Sequence, residues 1–140
     1  NISLPKDGVI FLSVKDTDKD ELPDIARQLH RLGFGLMATK GTATFLRNQG
    51  VPVQEVNKVR DGSPHIVDKL GAGEVALVMN TPEGWRPVMD SKSIRLVANE
   101  LRVPTYTTIA AARAVSEALA MVQSGQYLSV RALQDYTGVN

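Results

Sequence analysis

The chain has no cysteine, which excludes a disulfide framework and thiolate metal sites and leaves the redox compartment open. It has almost no excess of either charge: 16 Lys and Arg stand against 15 Asp and Glu, a net +1. Nucleic acid held by bulk electrostatics needs a basic surplus, so that partner class is not expected. No apolar run approaches the roughly 18 residues that cross a membrane. The opening residues, Asn1-Ile2-Ser3-Leu4-Pro5, lack the basic-then-apolar layout of a secretory leader. Walker A, G-x-G-x-x-G and G-x-S-x-G patterns are missing, as is any histidine pair at metal-binding spacing. What the 140 residues do have is 43% hydrophobic content, enough for one sizeable core. A single soluble, intracellular domain without repeats or low-complexity tracts is the expectation. Because it begins without methionine, the chain is expected to be a piece of a longer one.

Short apolar runs alternate with segments of helical period. Residues 8–14 (GVIFLSV) predict a buried strand. Asp16-Thr17-Asp18 then offers capping side chains to a helix that places Ile25, Leu29 and Leu32 on one face. Pro23 suits its first turn and Gly33 its end. A second strand is predicted over 34–38 and a second helix over 42–48, with Phe45 and Leu46 inward and Gly50 as its stop. Residues 51–56 read as a third strand, 64–70 as a short helix, and 74–79 (EVALVM) as the clearest strand of all. Residues 80–84 combine turn formers with a proline and a glycine and read as a loop. A helix over 91–101, with Ile94, Val97, Ala98 and Leu101 at helical spacing, precedes a short strand over 104–107. The alanine-rich stretch 110–122 is a strong helix former, and 128–136 reads as one or two further helical turns. Five strands alternating with helices predict a parallel sheet covered on both faces.

In such sheets ligands sit beyond the carboxyl ends of the strands, near a switch in strand order. The predicted exits here carry hydroxyls, amides and lysines: Val14-Lys15, Thr39-Lys40, Asn57-Lys58, Asn80-Thr81 and Thr107-Thr108. Ala38-Thr39-Lys40-Gly41-Thr42-Ala43 stands out, because a strand that turns into a helix through hydroxyls and a glycine makes an anion site. Backbone N–H groups at the helix start point outward, the dipole favours negative charge, and Thr39 and Thr42 can donate to a phosphate oxygen. The same residues equally make a turn and cap that bind nothing. Lys19 and Lys58 follow other strand exits and can converge on the same anion, or stay solvated surface charges. Asn80 can read a ribose hydroxyl or a base edge, or simply end its strand.

Other polar residues point less clearly. His65, after Ser63-Pro64, is a candidate general base without an assigned carboxylate partner, and reads better as a surface residue at a helix start. His30 reads as a surface residue of the first helix. Asp61, Asp68 and Asp90 form no metal-ligand pattern, and Asp90 is placed as the cap of the fourth helix. Trp85 serves as a ligand lid, a partner contact or a packing residue of its own domain.

A set of motifs recurs here in one order. Leu12-Ser13-Val14-Lys15 is followed by Asp18-Lys19, then A-T-K-G-T-A (38–43), V-N-K-V-R-D-G-S-P-H-I (56–66) and M-N-T-P (79–82). D-S-x-x-I-R (90–95), V-P-x-x-T-T (103–108) and Leu128-Ser129-Val130 complete it. The series resembles the carboxy-terminal, methylglyoxal-synthase-like allosteric domain of the carbamoyl-phosphate synthetase large chain, over nearly the whole length.

That resemblance implies a three-layer α/β/α sandwich around a five-stranded parallel sheet, all 140 residues forming one such domain. It implies a cytoplasmic regulatory module that performs no chemistry and holds no cofactor. The parent enzyme makes carbamoyl phosphate from bicarbonate, glutamine-derived ammonia and two ATP, with Mg or Mn, for arginine and pyrimidine synthesis. The implied partners are uridine or inosine monophosphate, the synthetase domains of the same chain, the small glutaminase subunit, and further copies of the chain. Lys19, Thr39, Thr42 and Lys58 would hold the effector phosphate, with Ser13 contributing at the first strand's exit and Asn80 on the ribose or base. Thr107 would belong to an ornithine site completed by another domain. Pro82 departs from the family pattern, which has a threonine there, as do Thr105 and Tyr106 before Thr107. Two other readings stay open. Methylglyoxal synthase itself, acting on dihydroxyacetone phosphate, uses an aspartate base at the position of Asn80 and a histidine near 88–90, and an amide is no general base. A purely structural module would mediate oligomer contacts through Trp85 and the outer helices.

Overall fold

The computed structural model describes residues 4–58, 61–81 and 88–125. The chain runs β1 (Val9–Ser13), a 3-10 segment (Asp16–Glu21), α1 (Leu22–Arg31), β2 (Gly35–Ala38), α2 (Lys40–Asn48), β3 (Gln54–Glu55), α3 (Ile66–Gly71), β4 (Leu77–Asn80), α4 (Val88–Glu100), β5 (Thr105–Tyr106) and α5 (Ile109–Gln123). All strand pairs are parallel and the sheet order is β3-β2-β1-β4-β5.

Ile10, Phe11 and Leu12 are wholly buried, as a central strand covered on both faces requires. Successive strand residues point to opposite faces. On one face Ile10, Leu12, Leu36, Leu77 and Met79 pack against Ile25 and Leu29 of α1, Leu46 of α2, and Val115 and Leu119 of α5. On the other, Phe11, Met37 and Val78 pack against Ile66 and Leu70 of α3 and Ile94 of α4. The result is the expected three-layer α/β/α arrangement.

Strands and α-helices agree in type with the sequence reading, but Asp16, Thr17 and Asp18 do not cap the first helix. They lie inside the 3-10 segment Asp16–Glu21, and α1 follows Glu21 without a side-chain cap. Several boundaries also differ. The third strand shrinks from 51–56 to Gln54–Glu55. Val51 is taken up in closing α2, its N–H donating to Leu46 O at 3.0 Å beyond Gly50 at φ +80°, and Pro52 has no N–H to pair. α2 starts two residues before the expected 42, and α3 starts at Ile66 rather than 64. β4 begins at Leu77 and keeps Asn80 inside the strand rather than in the loop. α4 starts at Val88, so Asp90 lies within its first turn and not at its cap. Leu101 is 47% exposed although its spacing matches Ile94 and Ala98. The helix has ended at Glu100, and Arg102 turns the chain with φ 59°, so helical periodicity no longer places Leu101. Pro82, Trp85 and the predicted turns over 128–136 lie outside the described residues. Among the described residues no helix is long and apolar enough to cross a membrane.

Candidate functional site

The chain fills one side of the sheet (β1, β2, β3), then crosses to the other (β4, β5), so the exits of β1 and β4 diverge at a switch point. Ser13 is in register with Asn80, and Leu12 with Ala38, which puts Thr39 beside Ser13. Thr39, Ser13 and Asn80 thus form a polar row across three adjacent strand ends. Each follows by two residues a member of the inner cluster Met37, Phe11 and Val78, and so faces the α3/α4 layer. Thr39 and Asn80 are each only 4% exposed. The Ser13 and Thr39 hydroxyl oxygens lie 3.3 Å apart.

That contact has a consequence for α2. Thr39 occupies its N-cap position with extended backbone (φ −70°, ψ 163°), yet its side chain makes no capping hydrogen bond. The first N–H groups of a nine-residue helix therefore lack their usual side-chain acceptor. Lys19 reaches this same helix start, its Nζ 3.7 Å from where a β-carbon on Gly41 would be. Its ammonium also bonds the Asp16 carboxylate, and that hydrogen bond, with the charge behind it, lowers the Asp16 pKa.

Three hydroxyls fix the residues leaving β1. Thr39 meets Ser13; Thr42 Oγ1 accepts from Val14 N–H at 3.4 Å; Thr81 Oγ1 accepts from Lys15 N–H at 2.9 Å. Thr42 and Thr81 are 2% and 4% exposed. Because the Thr42 and Thr81 oxygens accept there, their hydroxyl protons stay free to be donated elsewhere. Asn80 is different: its Nδ2 is buried without a hydrogen-bond partner among the described residues, an arrangement that costs free energy unless something else accepts from it.

Ser13, Thr39, Thr42, Lys19 and Asn80 are thus gathered at one edge by contact or register. Lys58 and Thr107 flank them. Lys58 lies two residues beyond Val56, whose N–H donates to Ala38 O at 2.9 Å, and is half-buried. Thr107 follows β5 and is exposed. Among the described residues neither side chain is bonded to the other site residues.

His65 has a local task. Its Nδ1 accepts from Asp68 N–H at 3.3 Å while the Asp68 carboxylate accepts from His65 N–H at 3.0 Å, a reciprocal cap of α3. Donation from the Ser63 hydroxyl and then from His65 N–H lowers the Asp68 pKa. A carboxylate three residues after a helix-start histidine was the signal available for this pair. His30 is exposed on α1, as expected. Thr81 stood in the sequence only as part of a strand exit and without a role, since its only mark is a hydroxyl directly after a strand.

Fold and site together define a doubly wound α/β domain with a hydroxyl-and-amide row at its switch point. The MGS-like domain family model matches residues 21–107, and the chain belongs to that family. It is 45% identical over 139 residues (99% of this chain) to the carbamoyl phosphate synthase large chain of Myxococcus xanthus, and covers 13% of that protein. To the large chain of Ralstonia nicotianae it is 48% identical over 122 residues, 86% of this chain and 11% of the relative. The large chain of Methanothrix thermoacetophila gives 41% over 134 residues, 96% of this chain and 12% of the relative. The chain therefore resembles the MGS-like part of a large chain and spans about an eighth of these relatives. This bears out the family assigned from the motifs. Among solved structures, that of ForH superposes with a TM-score of 0.55 at 18% identity, covering 94% of this chain and 89% of ForH, a likeness of fold alone.

Proposed function

We propose that this domain is a regulatory module that binds a nucleoside monophosphate and performs no chemistry on it. The observation that carries the reading is the α2 start, where uncapped N–H groups and the Lys19 ammonium meet over Gly41. A phosphoryl dianion suits both donors, each charge-assisted hydrogen bond contributing about 1.5–3 kcal/mol. Thr39, Thr42 and Lys58 supply further donors in this reading. Asn80, with its unpartnered amide next along the row, takes the ribose or base. The same residue disfavours the methylglyoxal synthase reading, since an amide cannot remove a substrate proton.

By the names of its relatives the domain serves a carbamoyl phosphate synthase large chain. There, effector binding biases the conformation of neighbouring synthetase domains. Regulation needs a differential affinity between two states, typically about 1–3 kcal/mol. Production of carbamoyl phosphate, ATP with Mg or Mn, and the small glutaminase subunit belong in this proposal to the parent enzyme. Thr107 contributes to an ornithine site shared with another domain.

Calorimetric titration with uridine monophosphate, inosine monophosphate, ornithine and inorganic phosphate tests the reading, with thermal shift as a second readout. The expected result is binding of at least one monophosphate more tightly than phosphate. No heat and no stabilisation at millimolar ligand would favour the structural module. Release of phosphate from dihydroxyacetone phosphate would favour the enzyme.

A further inference from the structure

We propose that Thr81 is a positioning residue for the anion site: it clamps the exit of β1 so that the following 3-10 segment delivers Lys19 to the start of α2. The inference rests on the phosphate-binding reading above.

Thr81 bonds the departing strand twice. Its N–H donates to Ser13 O at 2.9 Å and its Oγ1 accepts from Lys15 N–H at 2.9 Å. Between those bonds lies Val14, whose N–H donates to Thr42 Oγ1. Lys15 in turn flanks the segment Asp16–Glu21, and its carbonyl accepts from Asp18 N–H at 3.0 Å. The segment buries none of its own residues, so packing does little to hold it. Its course is set by its two ends, and Leu22, wholly buried, fixes the far one. The near end depends on the bonds to Lys15. Lys19 lies one residue beyond Asp18, so a slack Lys15 displaces the ammonium from Gly41. Thr81 also follows Asn80 directly, which ties the unpartnered amide and the lysine into one frame across the switch point.

The test compares inorganic phosphate and uridine monophosphate affinities of the unmodified protein with Thr81→Val and Thr81→Ser, each with and without Lys19→Ala. Thr81→Val should weaken phosphate binding at least about tenfold when Lys19 is present and less than about twofold when it is absent. Thr81→Ser, which keeps the acceptor, should restore affinity to within about threefold. A role in folding alone would give equal losses in both backgrounds and overturn the inference. Should Thr81→Val fail to fold, Lys15→Pro removes the same bond from the donor side. Lys15 has φ −67°, which proline adopts without strain. Lys15→Pro should weaken binding clearly more than Lys15→Ala, and equal effects overturn the inference. An unmodified protein that binds neither ligand overturns the functional reading and this inference with it. Tight binding that ignores Thr81→Val and Lys15→Pro overturns this inference alone.

Discussion

The Lys19 ammonium lies 3.7 Å from the point where a β-carbon on Gly41 would stand. A methyl group there would touch the lysine without clashing, yet on the proposed reading it would occupy the space a phosphate oxygen needs between the ammonium and the bare helix start. Stability and binding should therefore move in opposite directions. Gly41→Ala replaces a poor helix former at an exposed helical position with the best one, a gain of up to about 1 kcal/mol. It should raise the melting temperature by a few degrees while weakening monophosphate binding about tenfold. A variant with improved stability and intact affinity would place the phosphate elsewhere.

Asn80 makes a second separation possible. Its Nδ2 is buried and unpartnered while it stands in register with Ser13. Asn80→Leu removes the unpaired donor while keeping the number of side-chain heavy atoms, so stability should hold to within about 1 kcal/mol. Monophosphate affinity should fall roughly five- to thirtyfold, and inorganic phosphate affinity should change little. Equal losses for both ligands would move Asn80 from the ribose or base to the phosphoryl group.

The fold was legible because β1, β2 and β4 are short apolar runs between turn formers, and a run such as Ile10-Phe11-Leu12 has few other fates. What the sequence hid was set by tertiary pairing. Val51 looks like strand, but its N–H closes α2 instead. Leu101 continues an apolar spacing past the end of its helix. In the site, Thr39 and Thr42 were visible from their place before and within a helix start. Nothing local revealed that Thr39 turns from its own cap to Ser13, 26 residues away. Nor could spacing show that Thr81 holds Lys15 across 66 residues. Such bonds depend on strand order, which periodicity does not encode.

Lys58 and Thr42 call for different substitutions. Lys58 has no ion-pair partner among the described residues, so Lys58→Ala should leave stability nearly unchanged. If its charge-assisted contact contributes about 1.4 kcal/mol or more, monophosphate affinity falls at least about tenfold. Thr42 is less simple, because its oxygen accepts from Val14 N–H. Thr42→Val removes the proposed donor to the ligand and strands that N–H together, so a loss of about 1–3 kcal/mol in stability should accompany any loss of affinity. Thr42→Ser keeps both functions and should bind within about threefold of the unmodified protein. Denaturant titration beside calorimetry distinguishes the two contributions.

The cap of α3 should show itself as a pH dependence. The Asp68 carboxylate accepts from the Ser63 hydroxyl and from His65 N–H, and both bonds favour its charged form, lowering its pKa. A carboxylate more acidic in the folded than in the unfolded state stabilises the fold fully above its unfolded pKa of about 3.9. That contribution is lost as pH falls through the lower, folded value. Melting temperatures of the unmodified protein and of Asp68→Ala should thus differ by a constant amount from pH 7 to about 5 and converge in the acid range below about 4. Ser63→Ala, which deletes the larger of the two causes, should bring the folded pKa nearer the unfolded one, so that the convergence is complete at a higher pH. Two curves that stay parallel to the acid limit would show that the charge on Asp68 adds nothing, leaving the cap to His65 Nδ1 alone.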